Sequence, residues 1–75
     1  MTIEVDSRGQ VCPLPVIALA KAFRDLEVGE TVSLLADDVA ALVDVPAWCR
    51  MKGQELVATE PVPEGGTRFV VRRTA

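Results

Sequence analysis

Cys12-Pro13-Leu14-Pro15-Val16-Ile17-Ala18-Leu19-Ala20-Lys21-Ala22-Phe23 is the stretch in which an alternating pattern gives way to a helical one. Proline is tolerated in the first turn of a helix and disrupts its interior, so Pro13 and Pro15 fix where a helix can begin. Val16, Leu19, Ala20, Phe23 and Leu26 recur at spacings of three and four, with Lys21, Arg24 and Asp25 on the other side. That spacing predicts an amphipathic helix over residues 16–26. Cys12 then falls at or just before the helix start, and two placements fit. With Cys12 as N-cap, Pro13 and Pro15 take the first and third helical positions, and Leu14 alone can offer an amide to the sulfur. Alternatively, since a residue before proline is steered away from the α region, the helix starts at Pro15 and Cys12 sits on the loop above it.

Upstream, residues 2–6 alternate polar and apolar, with Ile3 and Val5 on one face, which reads as a strand. Ser7-Arg8-Gly9-Gln10 is a turn delivering the chain to Cys12, and Gly9 permits a conformation closed to other residues. Downstream, Gly29 ends the helix or its exit turn. Residues 31–36 (Thr-Val-Ser-Leu-Leu-Ala) are apolar enough for a central strand. Asp44-Val45-Pro46 reads as a second helix start, with Asp44 as N-cap and Gly53 closing the helix after Lys52. Residues 39–43 can form a helical turn before it, but Pro46 argues against one straight helix through both. Residues 55–60 and 67–73 are two further strands joined by a loop, Pro61-Val62-Pro63-Glu64-Gly65-Gly66. In the last strand Phe69 and Val71 point one way, with Arg68, Val70 and Arg72 opposite. The order is β-α-β-α-β-β. The expected class is α+β: a two-layer βαβαββ sandwich with one four-stranded mixed sheet and both helices on one face.

The 75 residues suffice for one domain, 1–75, with a core too small for high stability. Composition is that of an ordered globular chain, 49% apolar and 25% charged. The net charge of −3 is uneven. Residues 1–37 carry three basic and six acidic groups, whereas residues 38–75 carry five of each. No basic platform exists for phosphates, so direct nucleic-acid binding is not expected. Arg68, Arg72 and Arg73 read as a solvated strand face. The longest nearly uncharged run, residues 9–20, is too short to cross a bilayer and is broken by prolines, so no membrane partner is expected. The opening residues lack the basic start and apolar run of a signal peptide, and two cysteines are too few for a secreted disulfide scaffold. A reducing cytoplasm is the expected setting.

A helix N-terminus, with unpaired N–H groups and the positive end of the dipole, favours an anion; for a cysteine that anion is the nucleophilic thiolate. The chain has no histidine, so activation of Cys12 would fall to the helix end and a nearby cation such as Arg8. The extreme depression of some redox thiols is not expected. The competing reading makes Cys12 a small buried apolar residue; the turn before it and the prolines after it favour the reactive one. Cys49, inside the second helix beside Trp48 and Met51, reads as a core or boundary residue. A Cys12–Cys49 disulfide is left open by the sequence and disfavoured by a reducing compartment. Two cysteines without histidine do not make a structural zinc site in one chain. No metal and no cofactor is called for. Trp48 packs on the sheet or shields a pocket, and Asp37-Asp38 is a solvated turn or a partner's cation site.

Asp6-x-x-Gly9-x-x-Cys12-Pro13-Leu14-Pro15 resembles the N-terminal signature of the TusA/SirA-like sulfur-carrier (CPxP) family. Asp37-Asp38, Asp44-Val45-Pro46-x-Trp48 and Gly53 before a strand extend the resemblance over nearly the whole chain. It implies that Cys12 accepts a sulfane sulfur, holds it as a persulfide and relays it, with Asp6, Arg8, Gly9, Pro13, Leu14 and Pro15 shaping the thiol's surroundings. It also implies a cysteine desulfurase or rhodanese-type sulfur donor and an acceptor sulfur-relay protein. The destinations implied are tRNA thiolation, molybdenum-cofactor enzymes or sulfur metabolism. Val39, where members often have proline, and Gln54, where they often have histidine, depart from the pattern and bear on partner choice. Two other classes compete: a non-catalytic regulatory interaction module, and a thiol redox sensor using Cys12 and Cys49. The second requires Cα atoms within about 7 Å.

Overall fold

The computed structural model describes residues 2–11 and 13–75. Six elements follow in the expected order: β1 (Thr2–Asp6), α1 (Leu14–Phe23), β2 (Thr31–Ala36), α2 (Ala41–Lys52), β3 (Glu55–Pro61) and β4 (Thr67–Arg72). The strands form one mixed sheet in the order β1-β2-β4-β3. β1 runs parallel to β2, with Ile3 beside Val32 and Val5 beside Leu34. β4 is antiparallel to both its neighbours, and β3 carries a bulge between Leu56 and Ala58. The architecture is α+β, with both helices covering one face of the sheet, as the order of elements predicts.

The core lies between sheet and helices. Val32, Leu34 and Ala36 of β2 and Phe69 and Val71 of β4 meet Leu19 and Phe23 of α1 and Ala41, Val45, Trp48 and Cys49 of α2. The period-two alternation of β2 and β4 puts these residues on the covered face and leaves Leu35, Arg68, Val70 and Arg72 on the open one. Trp48 meets Phe23 edge-to-face, ring centroids 5.2 Å apart, an arrangement the ring quadrupoles favour. This contact locks α2 against α1.

Three helix boundaries differ from the sequence reading, and β3 and β4 end within one residue of theirs. α1 begins between the two placements: Pro13 is the N-cap, Leu14 the first helical residue and Pro15 the second. α1 also stops at Phe23 rather than residue 26. Leu26 is still buried, but on an exit turn whose Gly29 N–H bonds the Arg73 carbonyl at 2.8 Å. α2 starts at Ala41, with Ala40 rather than Asp44 as N-cap and Pro46 inside the helix. The reason is the buried stripe Ala41, Val45, Trp48 and Cys49, whose spacing of four, three and one is a helix face that begins before the proline. Burying that stripe outweighs the hydrogen bond that Pro46 cannot donate to the Leu42 carbonyl. Tight-turn bonds open the helix, Ala41 N–H to Asp38 O and Leu42 N–H to Val39 O. The Asp38 carboxylate accepts the Ala40 N–H at 3.2 Å. At the other end Gly53 adopts the left-handed conformation that closes the helix.

Candidate functional site

The parallel pair β1 and β2 sends both its following loops, residues 7–13 and 37–40, to one end of the sheet. Cys12 itself lies outside the described residues, so the site is built from what holds the chain on either side of it. Ser7, 2% exposed, donates both its N–H (2.8 Å) and its Oγ hydroxyl (2.9 Å) to the Leu35 carbonyl, fastening the loop where β1 ends. Two residues on, the Gly9 N–H donates to Asp37 Oδ1 at 2.9 Å, tying this loop to the one after β2. Gly9 has φ +84°, a conformation that side chains rarely adopt. The Gln10 N–H then returns to the Ser7 carbonyl at 3.2 Å.

Arg8 is committed within the same turn. Its Nε donates to Asp6 Oδ1 at 3.0 Å and its Nη2 to Asp6 Oδ2 at 2.8 Å, a two-pronged pair reinforced by the Arg8 backbone N–H on Oδ1 at 3.1 Å. These bonds hold the Asp6 carboxyl at about 2, well below its ordinary value, and push the Arg8 guanidinium up. Asp6, Arg8 and Gly9 are thus brought together in one turn. Arg8, however, is not a free cation awaiting a thiolate: its charge is already matched.

The helix start is equally particular. Pro13 and Pro15 have no N–H, and Leu14, expected to offer its amide to a capping side chain, donates it to the Val11 carbonyl at 3.0 Å. The first helical bond is Ile17 N–H to Pro13 O, 3.0 Å. Among the described residues no side chain caps the start of α1. Pro15 is buried under the helix, whereas Val11 (67% exposed), Pro13 and Leu14 face outward. Val16 is half-buried and packs against the core. Around this end stand further exposed apolar side chains, Val39, Leu42 and Val43, among the acidic Asp37, Asp38 and Asp44.

Two features escaped the sequence reading. Asp37 is exposed as expected of a turn residue, but its carboxylate is also a structural tie, which only the fold reveals because its partner lies 28 positions away. Arg73, assigned to a solvated strand face, instead donates from Nη1 to the Leu26 and Phe23 carbonyls and so caps the end of α1. Cys49 is buried as expected, and burial pushes its thiol up, away from the reactive form. A cavity of about 320 Å³, walled by Phe23, Arg24, Trp48, Lys52 and Arg73, lies at the far end of α1 from Pro13. A second groove of about 240 Å³ adjoins Pro13 itself, between the two helices. Among the described residues no helix is long and apolar enough to cross a membrane.

Comparison with known proteins assigns this arrangement. A candidate sulfur carrier protein of Archaeoglobus fulgidus is 46% identical over 69 residues, 92% of this chain and 90% of that protein. A second one from the same organism is 37% identical over 71 residues, 95% and 96% of the two chains. The candidate sulfur carrier YrkF of Bacillus subtilis is 36% identical over 59 residues, 79% of this chain but 32% of that longer protein. In three dimensions the chain is similar to the crystal structure of a SirA-like protein from Desulfitobacterium hafniense, with a TM-score of 0.85, full coverage of both chains and 26% identity. The family described as sulfurtransferase TusA matches residues 3–73, from the first strand to the arginine that caps α1, and the chain belongs to that family.

Proposed function

We propose that this protein, a single TusA/SirA-like domain over residues 1–75, is a sulfur carrier in which Cys12 holds sulfane sulfur as a persulfide. The observation that carries the reading is the family match over residues 3–73, with Cys12-Pro13-Leu14-Pro15 at the start of α1. The construction of the loop supports it. Ser7, Gly9 and the Asp6–Arg8 pair hold the chain before Cys12, Pro13 and Pro15 stiffen the chain after it, and its neighbours Val11 and Pro13 are both exposed.

In loading, the Cys12 thiolate attacks the terminal sulfur of a donor persulfide; the new S–S bond forms as the donor's S–S bond breaks and its thiolate leaves. In delivery, an acceptor thiolate attacks the outer sulfur on Cys12, and Cys12 leaves as the thiolate. Each step exchanges one S–S bond for another, with no net oxidation. A cysteine desulfurase or rhodanese-type enzyme fits the donor role and a second relay protein the acceptor role, feeding tRNA thiolation, molybdenum-cofactor enzymes or sulfur metabolism, in the cytoplasm. Cys49 is a poor resolving thiol, being buried and held protonated, which weighs against the redox-sensor alternative.

The test is intact-mass spectrometry after incubation with a cysteine desulfurase and cysteine, and separately with polysulfide. The expected result is a reducible gain of one sulfur atom, absent in Cys12→Ser. No gain from either source, on a protein whose Cys12 alkylates normally, would overturn the reading in favour of an interaction module.

A further inference from the structure

The groove beside Pro13 has a defined chemistry. One wall is the α2 stripe Asp44, Ala47, Trp48 and Met51, spaced three, one and three and therefore on one helix face; the other is Pro13 and Val16 of the α1 start. Five of these six side chains are apolar and none is cationic. Met51 is 74% exposed, and Val43 continues the apolar surface beyond Asp44. Asp44 makes no ion pair and no side-chain hydrogen bond among the described residues. The positive end of α2 accounts for an acid in that first turn. It does not account for the exposed Met51, or for the half-buried Ala47 and Val16 that line the groove between that acid and the residue after Cys12.

We propose that this groove seats the cysteine-bearing segment of the protein that exchanges sulfur with Cys12. An apolar side chain of that segment lies against Trp48 and Met51, and a lysine or arginine pairs with Asp44. Charge selects this occupant: among the described residues the groove is lined by one carboxylate, Asp44, which has no cationic partner, and by no cation. A second copy of the chain fits less well, because the basic residue nearest its own thiol, Arg8, is already paired with Asp6. The inference rests on the carrier reading above and adds to it the partner's chemistry.

The test uses the full chain carrying Cys49→Ala, with Cys12 converted to a mixed disulfide with thionitrobenzoate. Three cysteine peptides of one apolar sequence, differing only in a single Lys, Gln or Glu, are the probes. The peptide thiolate attacks the Cys12 sulfur, a protein–peptide disulfide forms, thionitrobenzoate leaves with the electron pair of the broken bond, and buffer takes the peptide's proton. Rates are taken relative to 2-mercaptoethanol, too small to span the groove, measured on each variant. The Lys peptide should outpace the Glu peptide about fivefold at low salt. The ratio should fall to about one in Asp44→Asn, and Met51→Gln should slow all three peptides. Equal rates on the parent chain, or a preference surviving Asp44→Asn, would overturn the proposal. So would a dimer in sedimentation that dissociates on both substitutions, since that would give the groove to a second copy. Failure of sulfur loading in the mass experiment would instead remove the carrier reading, so the two failures are distinguishable.

Discussion

Substituting Gly66 by alanine tests how tightly the β3–β4 loop is pressed against the site. Gly66 has φ +92°, and a Cβ built there would stand 2.8 Å from the Ala36 carbonyl oxygen and 3.2 Å from Asp37 Cβ. Its neighbour Gly65 has φ +106° and would meet nothing within 4 Å. Both alanines bear the cost of a left-handed conformation, about 1–2 kcal/mol. Only Gly66→Ala must also push backbone away from backbone, a crowding cost of about 1–3 kcal/mol. Gly65→Ala should therefore lose about 1–2 kcal/mol and Gly66→Ala about 2–5, as read by urea unfolding. For a chain of this size each kcal/mol corresponds to about 4–8 °C in Tm. The extra strain falls next to Asp37, whose carboxylate holds the Gly9 N–H, so Gly9 amide exchange should quicken in Gly66→Ala and not in Gly65→Ala. Equal losses in the two variants, or unchanged Gly9 exchange in both, would refute the argument.

Cys12→Ser should abolish sulfur transfer while circular dichroism and Tm stay those of the parent; transfer in that variant would sink the mechanism. Cys49→Ser should retain transfer but lose about 1–3 kcal/mol by thermal unfolding, because it places a hydroxyl in the core beside Trp48. Arg73→Ala should cost about 1–2 kcal/mol by removing the guanidinium from the Phe23 and Leu26 carbonyls; no change in Tm would mean solvent replaces it. Asp6 should titrate at about 2 by carboxyl NMR and move back towards 3.8 in Arg8→Gln. Since this carboxyl is depressed in the fold, the stability from its pair is present above the unfolded value and fades as pH falls from about 4 through about 2.

The elements legible in the sequence are those whose signal is local. Alternation in β1 and β4, the apolar run of β2, the stripe of α1 and the glycine after α2 each report an element, a face or an end without knowledge of the partner. α2's start was not legible because two local signals disagreed: Pro46 and Asp44 mark a beginning, whereas Ala41 and Val45 mark a face already under way. Burial decides between them, and burial is a property of the sheet that α2 covers. The ties made by Asp37 and Arg73 were missed for a related reason. A carboxylate or guanidinium in a polar stretch looks the same whether it meets water or a backbone group many residues away. The Asp6–Arg8 pair lies only two residues apart, yet its consequence, that Arg8's charge is already matched, needed the geometry.

That consequence bears on why this loop suits a carrier. A thiol made strongly acidic by a dedicated cation would also be a weaker nucleophile, since attack slows as the thiol's pKa falls, and it would leave fast. A carrier must do both jobs with one sulfur: attack the donor when empty and leave when full. In the described loop before Cys12 the Arg8 guanidinium is neutralised by Asp6, and at the start of α1 two amides are absent because they belong to prolines and a third is taken by Val11. On the proposed function, the chain around the thiol withholds strong thiolate stabilisation and leaves mainly the helix field. The pH profile of Cys12 alkylation should then have its midpoint below that of an ordinary free thiol, without the extreme depression of some redox thiols. A midpoint at or below about 6 would mean a stabilising group has been missed, and Arg8→Gln would show whether it is the guanidinium after all.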